Sequence, residues 1–138
     1  NTKNNKIISF FVLIFVLIFF YLYPYKSLIY TCEYQYSDPD DAYADLMFDN
    51  PRSFIVKKYL FNKIKFEIST ISNNILILNE CSSDNDTVVS CYSRTKYESD
   101  YKRIKFNTIN KSLIESHIKI TEDYKSKNFN FQCSKFQN

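Results

Sequence analysis

The chain has 138 residues, with 18 Lys and Arg against 15 Asp and Glu, and it contains no glycine. Its formal charge of +3 comes mainly from Lys3 and Lys6, and without those two the count is 16 bases to 15 acids, which gives no basis for nucleic-acid binding. The missing glycines exclude phosphate-cradling loops and dinucleotide fingerprints, and they leave the turns to Asn, Asp, Ser and Pro.

Ile7–Tyr23 is a run of seventeen residues whose one polar side chain before Tyr21 and Tyr23 is Ser9. As a helix it spans about 25 Å, near the short limit for crossing a bilayer. The run exceeds the apolar stretch of a typical signal peptide, and Leu22–Lys26 lacks the small residues a signal peptidase needs. An uncleaved anchor is therefore expected, with residues 1–27 as cytoplasmic tip and transmembrane segment and 28–138 as one extracytoplasmic domain. Lys3 and Lys6 against Lys26 place the N-terminus in the cytoplasm, and Tyr21, Tyr23 and Tyr25 suit the interfacial belt. The bilayer is thus an expected partner. The run has no Gly or Ala for close helix crossing, and no charge for transport or proton relay.

The remainder reads mainly as strands. Leu28–Tyr36 alternates Tyr30, Cys32, Tyr34 and Tyr36 against Thr31, Glu33 and Gln35, the pattern of a half-buried strand. Asp38–Pro39–Asp40–Asp41 looks like a capped helix start, the helix running to about Phe48 before Asn50–Pro51. Strands follow at Phe54–Leu60, Ile64–Ser69, Ile75–Leu78 and Thr87–Ser93. Lys102–Thr108 alternates around Ile104 and Phe106, and Leu113–Ile120 carries Ile114, Ile118 and Ile120 on one face. Phe129, Phe131 and Cys133 form the last inward row. The expected fold class is α+β and β-rich: a small antiparallel sheet domain with one short early helix, disulfide-braced. Without glycine to relieve barrel corners, a sheet covered on one face is favoured over a closed barrel.

The four cysteines lack the short paired spacing of a zinc site, so disulfides are expected and no metal or other cofactor is. Ser83–Asp84–Asn85–Asp86 lies between Cys81 and Cys91 as a turn, which pairs them across a hairpin. Cys32–Cys133 follows by elimination. On the chain-entropy model a loop of about 100 residues is worth about 4–5 kcal/mol.

The candidate binding surface is acidic. Glu33, Asp38, Asp40, Asp41, Asp45 and Asp49 occur without an intervening base, and helical spacing puts Asp41, Asp45 and Asp49 on one stripe beside Tyr43. The spacing does not match a calcium loop, and helix capping with a solvated face is the plainer account. Arg52, Lys57, Lys58, Lys63 and Lys65 are the basic counterpart, read as complementing the acids within the fold, with contact to anionic lipid headgroups near the tether as the alternative. His117, the one histidine, shares a strand face with Glu115 and Lys119 opposite the isoleucines, so it reads as a solvated residue and not a catalytic base. Asn85–Asp86–Thr87 and Asn110–Lys111–Ser112 match the glycosylation acceptor pattern at predicted turns. No catalytic residue is assigned. The leading expectation is a non-enzymatic, membrane-anchored interaction module, such as an accessory subunit or inhibitor, whose partner is another membrane or extracytoplasmic protein. The alternative is a small ligand-binding or hydrolytic domain with a cleft near the acidic helix.

Overall fold

A computed structural model describes residues 1–36, 49–70, 74–83, 85, 87–94, 100–119 and 125–136. The helix expected after Asp38 lies outside them. Helix α1 (Thr2–Leu22) begins ahead of the apolar run and takes in both lysines, so its 21 residues reach about 31 Å. None of its residues is buried, and by length and composition it can cross a membrane. Tyr23 ends it in extended conformation, its N–H still donating to Phe19 O.

Nine strands follow among the described residues: β1 (Lys26–Tyr34), β2 (Arg52–Lys58), β3 (Ile64–Ser69), β4 (Ile75–Leu78), β5 (Glu80–Ser83), β6 (Val88–Arg94), β7 (Asp100–Asn107), β8 (Ser112–Lys119) and β9 (Lys125–Lys135). All neighbours pair antiparallel in the order β4-β3-β2-β1-β9-β8-β7-β6-β5. The two edge strands, β4 and β5, are consecutive in the chain and separated only by Asn79. One descending segment thus pairs with β3 through its first half and with β6 through its second. β3 also lies against β5, and β4 against β6. The sheet is an up-and-down meander curled until it nearly closes.

The antiparallel, disulfide-braced sheet is as expected, but its near closure corrects the preference for a sheet covered on one face over a barrel. Inward rows from opposite walls cover each other: Phe106 of β7 lies 5.0 Å from the rings of both Tyr30 on β1 and Phe54 on β2. Cys32, Phe54, Phe66, Ile68, Leu78, Cys91, Ile104 and Leu113 are sealed from solvent in the same core. Closure does not need glycine, because the change of pairing partner at Asn79 makes the corner. Where the backbone must turn left-handed, Phe61 (φ 62°), Asn62 (φ 58°) and Lys111 (φ 58°) take the conformation instead.

Both disulfides join directly opposed residues, and the pairs are those the turn and elimination arguments indicate. Cys32–Cys133 links β1 to β9, and Cys81–Cys91 links β5 to β6, each with Cα atoms 4.0 Å apart. The first joins the two halves of the meander at mid-sheet. The second ties the corner segment to its neighbour.

Candidate functional site

Of the acidic stripe, Asp41, Tyr43 and Asp45 lie outside the described residues, and Asp49 is half-buried. Next to it, Asn50 Oδ1 accepts from the Tyr34 N–H at 3.3 Å, so this segment is held to the end of β1.

The basic set is distributed differently from its expected role. Arg52 is not a surface residue: it is 1 % exposed, and its Nη1 donates to Glu115 Oε2 at 3.1 Å. Its Nε and Nη2 both donate to Ser69 O, at 3.0 and 2.8 Å, while its guanidinium lies 5.0 Å from the centre of the Phe131 ring. Lys57 pairs with Glu67 on the neighbouring strand at 2.8 Å. The bases do find acids within the fold, but these acids come from β3 and β8.

Glu115 and His117 require a second correction. The Leu113–Glu115–His117 face of β8 looks into the sheet, not toward solvent. Register explains why: Leu113 stands opposite Phe131, and Glu115 is flanked by Ile104 and Phe129, all core residues. Facing positions on paired strands share a side, so Glu115 is carried inward by its neighbours. His117 Nε2 sits 3.4 Å from Glu115 Oε2, and its ring meets Phe129 edge-on at 5.2 Å. Burial by itself would raise the Glu115 pKa. The His117 side chain and the Arg52 guanidinium outweigh that and hold the carboxyl below its ordinary value. Glu115 has no exposed side-chain surface, so this charged group is sealed as a brace between β2 and β8. Among the described residues, no group of three or more His, Cys, Asp or Glu is placed to hold a metal ion.

One concave feature lies at the opposite end of β1 and β2 from Asp49 and Arg52, where α1 joins the sheet. A cavity of about 680 Å³ opens there between the start of β1, the β2–β3 turn, β5 and the start of β6. Of its lining, Tyr30, Val56, Phe66 and Phe106 are buried, Leu28 and Ile64 are partly buried, and Lys58 and Lys63 lie at the end of β2 and in the turn after it. Burial raises the pKa of the Tyr30 phenol in this wall. The cavity is fixed to the helix. Leu60 N–H donates to Phe20 O at 3.3 Å, Tyr25 N–H to Lys58 O at 3.0 Å, and Lys63 Nζ lies 4.5 Å from the Tyr21 ring centre. The sequence marks neither the cavity nor its place, because both follow from the closure of the sheet.

A second surface runs over the outside of the first four strands. The registers align Ile77, Glu67, Ile55 and Ile29 in one row across β4, β3, β2 and β1, and Phe136 donates its N–H to Ile29 O at the row's end. Ile29, Ile77 and Phe136 are exposed, as is Ile75 beside them. No family model, curated protein or solved structure matches this chain.

Proposed function

We propose that this chain is a membrane-anchored interaction module held outside the cytoplasm, acting as an accessory subunit or inhibitor of another membrane or extracytoplasmic protein. Two disulfides fit an oxidising compartment, and the lysines ahead of α1 favour a cytoplasmic N-terminus. The observation that carries the reading is the apolar row Ile77–Ile55–Ile29–Phe136 with Ile75, interrupted by a single Lys57–Glu67 pair. Exposed apolar side chains gathered on one solvated sheet face, with a charged pair among them, suit a protein contact. Because Ile29 lies only a few residues beyond Tyr23, the β1 end of the row is tethered close to the bilayer, within reach of a neighbouring membrane protein's external part.

Affinity capture from gently solubilised membranes tests this, comparing the native chain with an Ile29→Ser/Ile77→Ser variant. A partner retained by the native chain and lost by the variant is the expected result. Equal recovery with both chains, or none with either, removes the proposal. The cavity beside α1 favours a second reading, that of a ligand-binding domain. It lies at the end of β1 and β2 remote from Asp49, and the acidic helix beside which a cleft was expected lies outside the described residues.

A further inference from the structure

The end of the sheet nearest α1 carries apolar side chains where turns usually carry polar ones. Phe61, at the tip of the β2–β3 turn, is 79 % exposed, and Ile109, in the β7–β8 turn, is 71 % exposed. Phe61 also holds a left-handed backbone (φ 62°), a conformation unfavourable for an aromatic residue and suited to Asn or Gly. Core packing does not offset this, because the residue is largely exposed. Both turns lie at the same end as Lys26, Lys58 and Ser112, the end to which α1 is hydrogen-bonded through Leu60 and Phe20. If α1 crosses a bilayer, its C-terminal end and these tips meet the same interface.

The cavity opens at this end. Its volume of about 680 Å³ falls within the range of pockets that enclose a small ligand, and its depth is aromatic and aliphatic. Two lysines, Lys58 and Lys63, belong to its lining and flank the β2–β3 turn at this end. Apolar depth with cations at the mouth matches a molecule with a hydrocarbon tail and an anionic head. An eight-walled meander of this kind has an interior wide enough for one such molecule.

We propose that the open end of the sheet sits on the bilayer surface, and that its cavity takes one acyl chain whose carboxylate or phosphate head is held by Lys58 and Lys63. Phe61 and Ile109 dip into the interface on either side of the mouth and keep it facing lipid. The chain enters from the membrane without crossing water. This inference rests on the anchored part of the functional reading, and it gives the second reading a ligand class.

The test uses the full chain in nanodiscs of zwitterionic lipid. The probe is a palmitic acid bearing a diazirine near its tail, with adducts mapped by peptide mass spectrometry. Labelling is expected on cavity residues such as Val89 and Phe106, together with labelling along α1 from bulk lipid. Lys58→Gln/Lys63→Gln should lower the cavity adducts at least five-fold and leave the α1 adducts unchanged, which controls for folding and insertion. A diazirine alcohol of the same length should label α1 only. A diazirine lysophosphatidic acid, run in parallel, decides between carboxylate and phosphate heads by which probe gives more cavity adducts. Adducts confined to α1, or cavity labelling indifferent to the lysines and to the head group, overturn the proposal. Absence of adducts from α1 itself would instead sink the anchored reading beneath it.

Discussion

Glu115 stands where the alternation of β8 calls for an apolar residue, and it is tolerated because Arg52 meets it at 3.1 Å. Removing one partner leaves the other charged and dry. Glu115→Ala is therefore expected to cost about 3–5 kcal/mol in urea unfolding, whereas Arg52→Met/Glu115→Leu should cost far less. The pH dependence has a definite sign. A carboxyl held below its ordinary value near 4.5 stabilises the fold above that pH, and the contribution fades as pH falls through the lower, folded value. Glu115→Gln should thus flatten the acid limb of a plot of urea midpoint against pH below about 4.5; an unchanged limb would count against the brace. This residue also marks the limit of reading faces from the sequence. On β8, Leu113, Glu115 and His117 compete with Ile114, Ser116 and Ile118, and hydrophobicity favours the second set. Pairing with Phe129, Phe131 and Ile104 selects the first. That choice leaves a carboxylate indoors whose partner is 63 positions away, which no local pattern encodes.

At the scale of elements, the legible strands are those with one dominant face. Tyr30, Cys32 and Tyr34 on β1, Phe66 and Ile68 on β3, Ile104 and Phe106 on β7, and Phe129, Phe131 and Cys133 on β9 all face inward as their alternation indicates. Closure was not legible, since it depends on β4 and β5 trading partners at Asn79, a long-range event within a short apolar run. The candidate site was less legible still. The basic residues were visible, but their division between a buried brace and a cavity rim is a product of topology. The disulfides differ in what they constrain, spanning 101 residues for Cys32–Cys133 and 10 for Cys81–Cys91. On the loop-entropy model the longer bridge should contribute about 2 kcal/mol more than the shorter. Comparing urea midpoints of Cys32→Ala/Cys133→Ala and Cys81→Ala/Cys91→Ala checks this. Near-equal losses would mean that the unfolded chain is already held together by other contacts.

For the whole molecule, the helix and the curled sheet make one argument if the bilayer lies across the α1 end. Absence of tryptophan makes this measurable, because one introduced indole is a clean reporter. Phe61→Trp and Ile109→Trp place it on the two apolar tips, while Ile75→Trp places it on β4, near the opposite end of the sheet. In vesicles containing brominated lipid, the first two are expected to emit at shorter wavelength and to be quenched, and the third to behave as in water. Quenching confined to Ile75→Trp would turn the domain over, and quenching of none would lift it off the surface. The backbone at Phe61 supplies an independent check. Phe61→Asn should suit the left-handed turn better and raise stability by about 0.5–1 kcal/mol, since Asn accepts that conformation at less cost. If the ring is there for lipid, the same change should weaken shielding of Ile109→Trp from aqueous iodide in the double variant. A gain in stability with no loss of shielding would show that the aromatic tip has no membrane role, whereas the two effects together would mean that an unfavourable turn is retained for its contact with the bilayer.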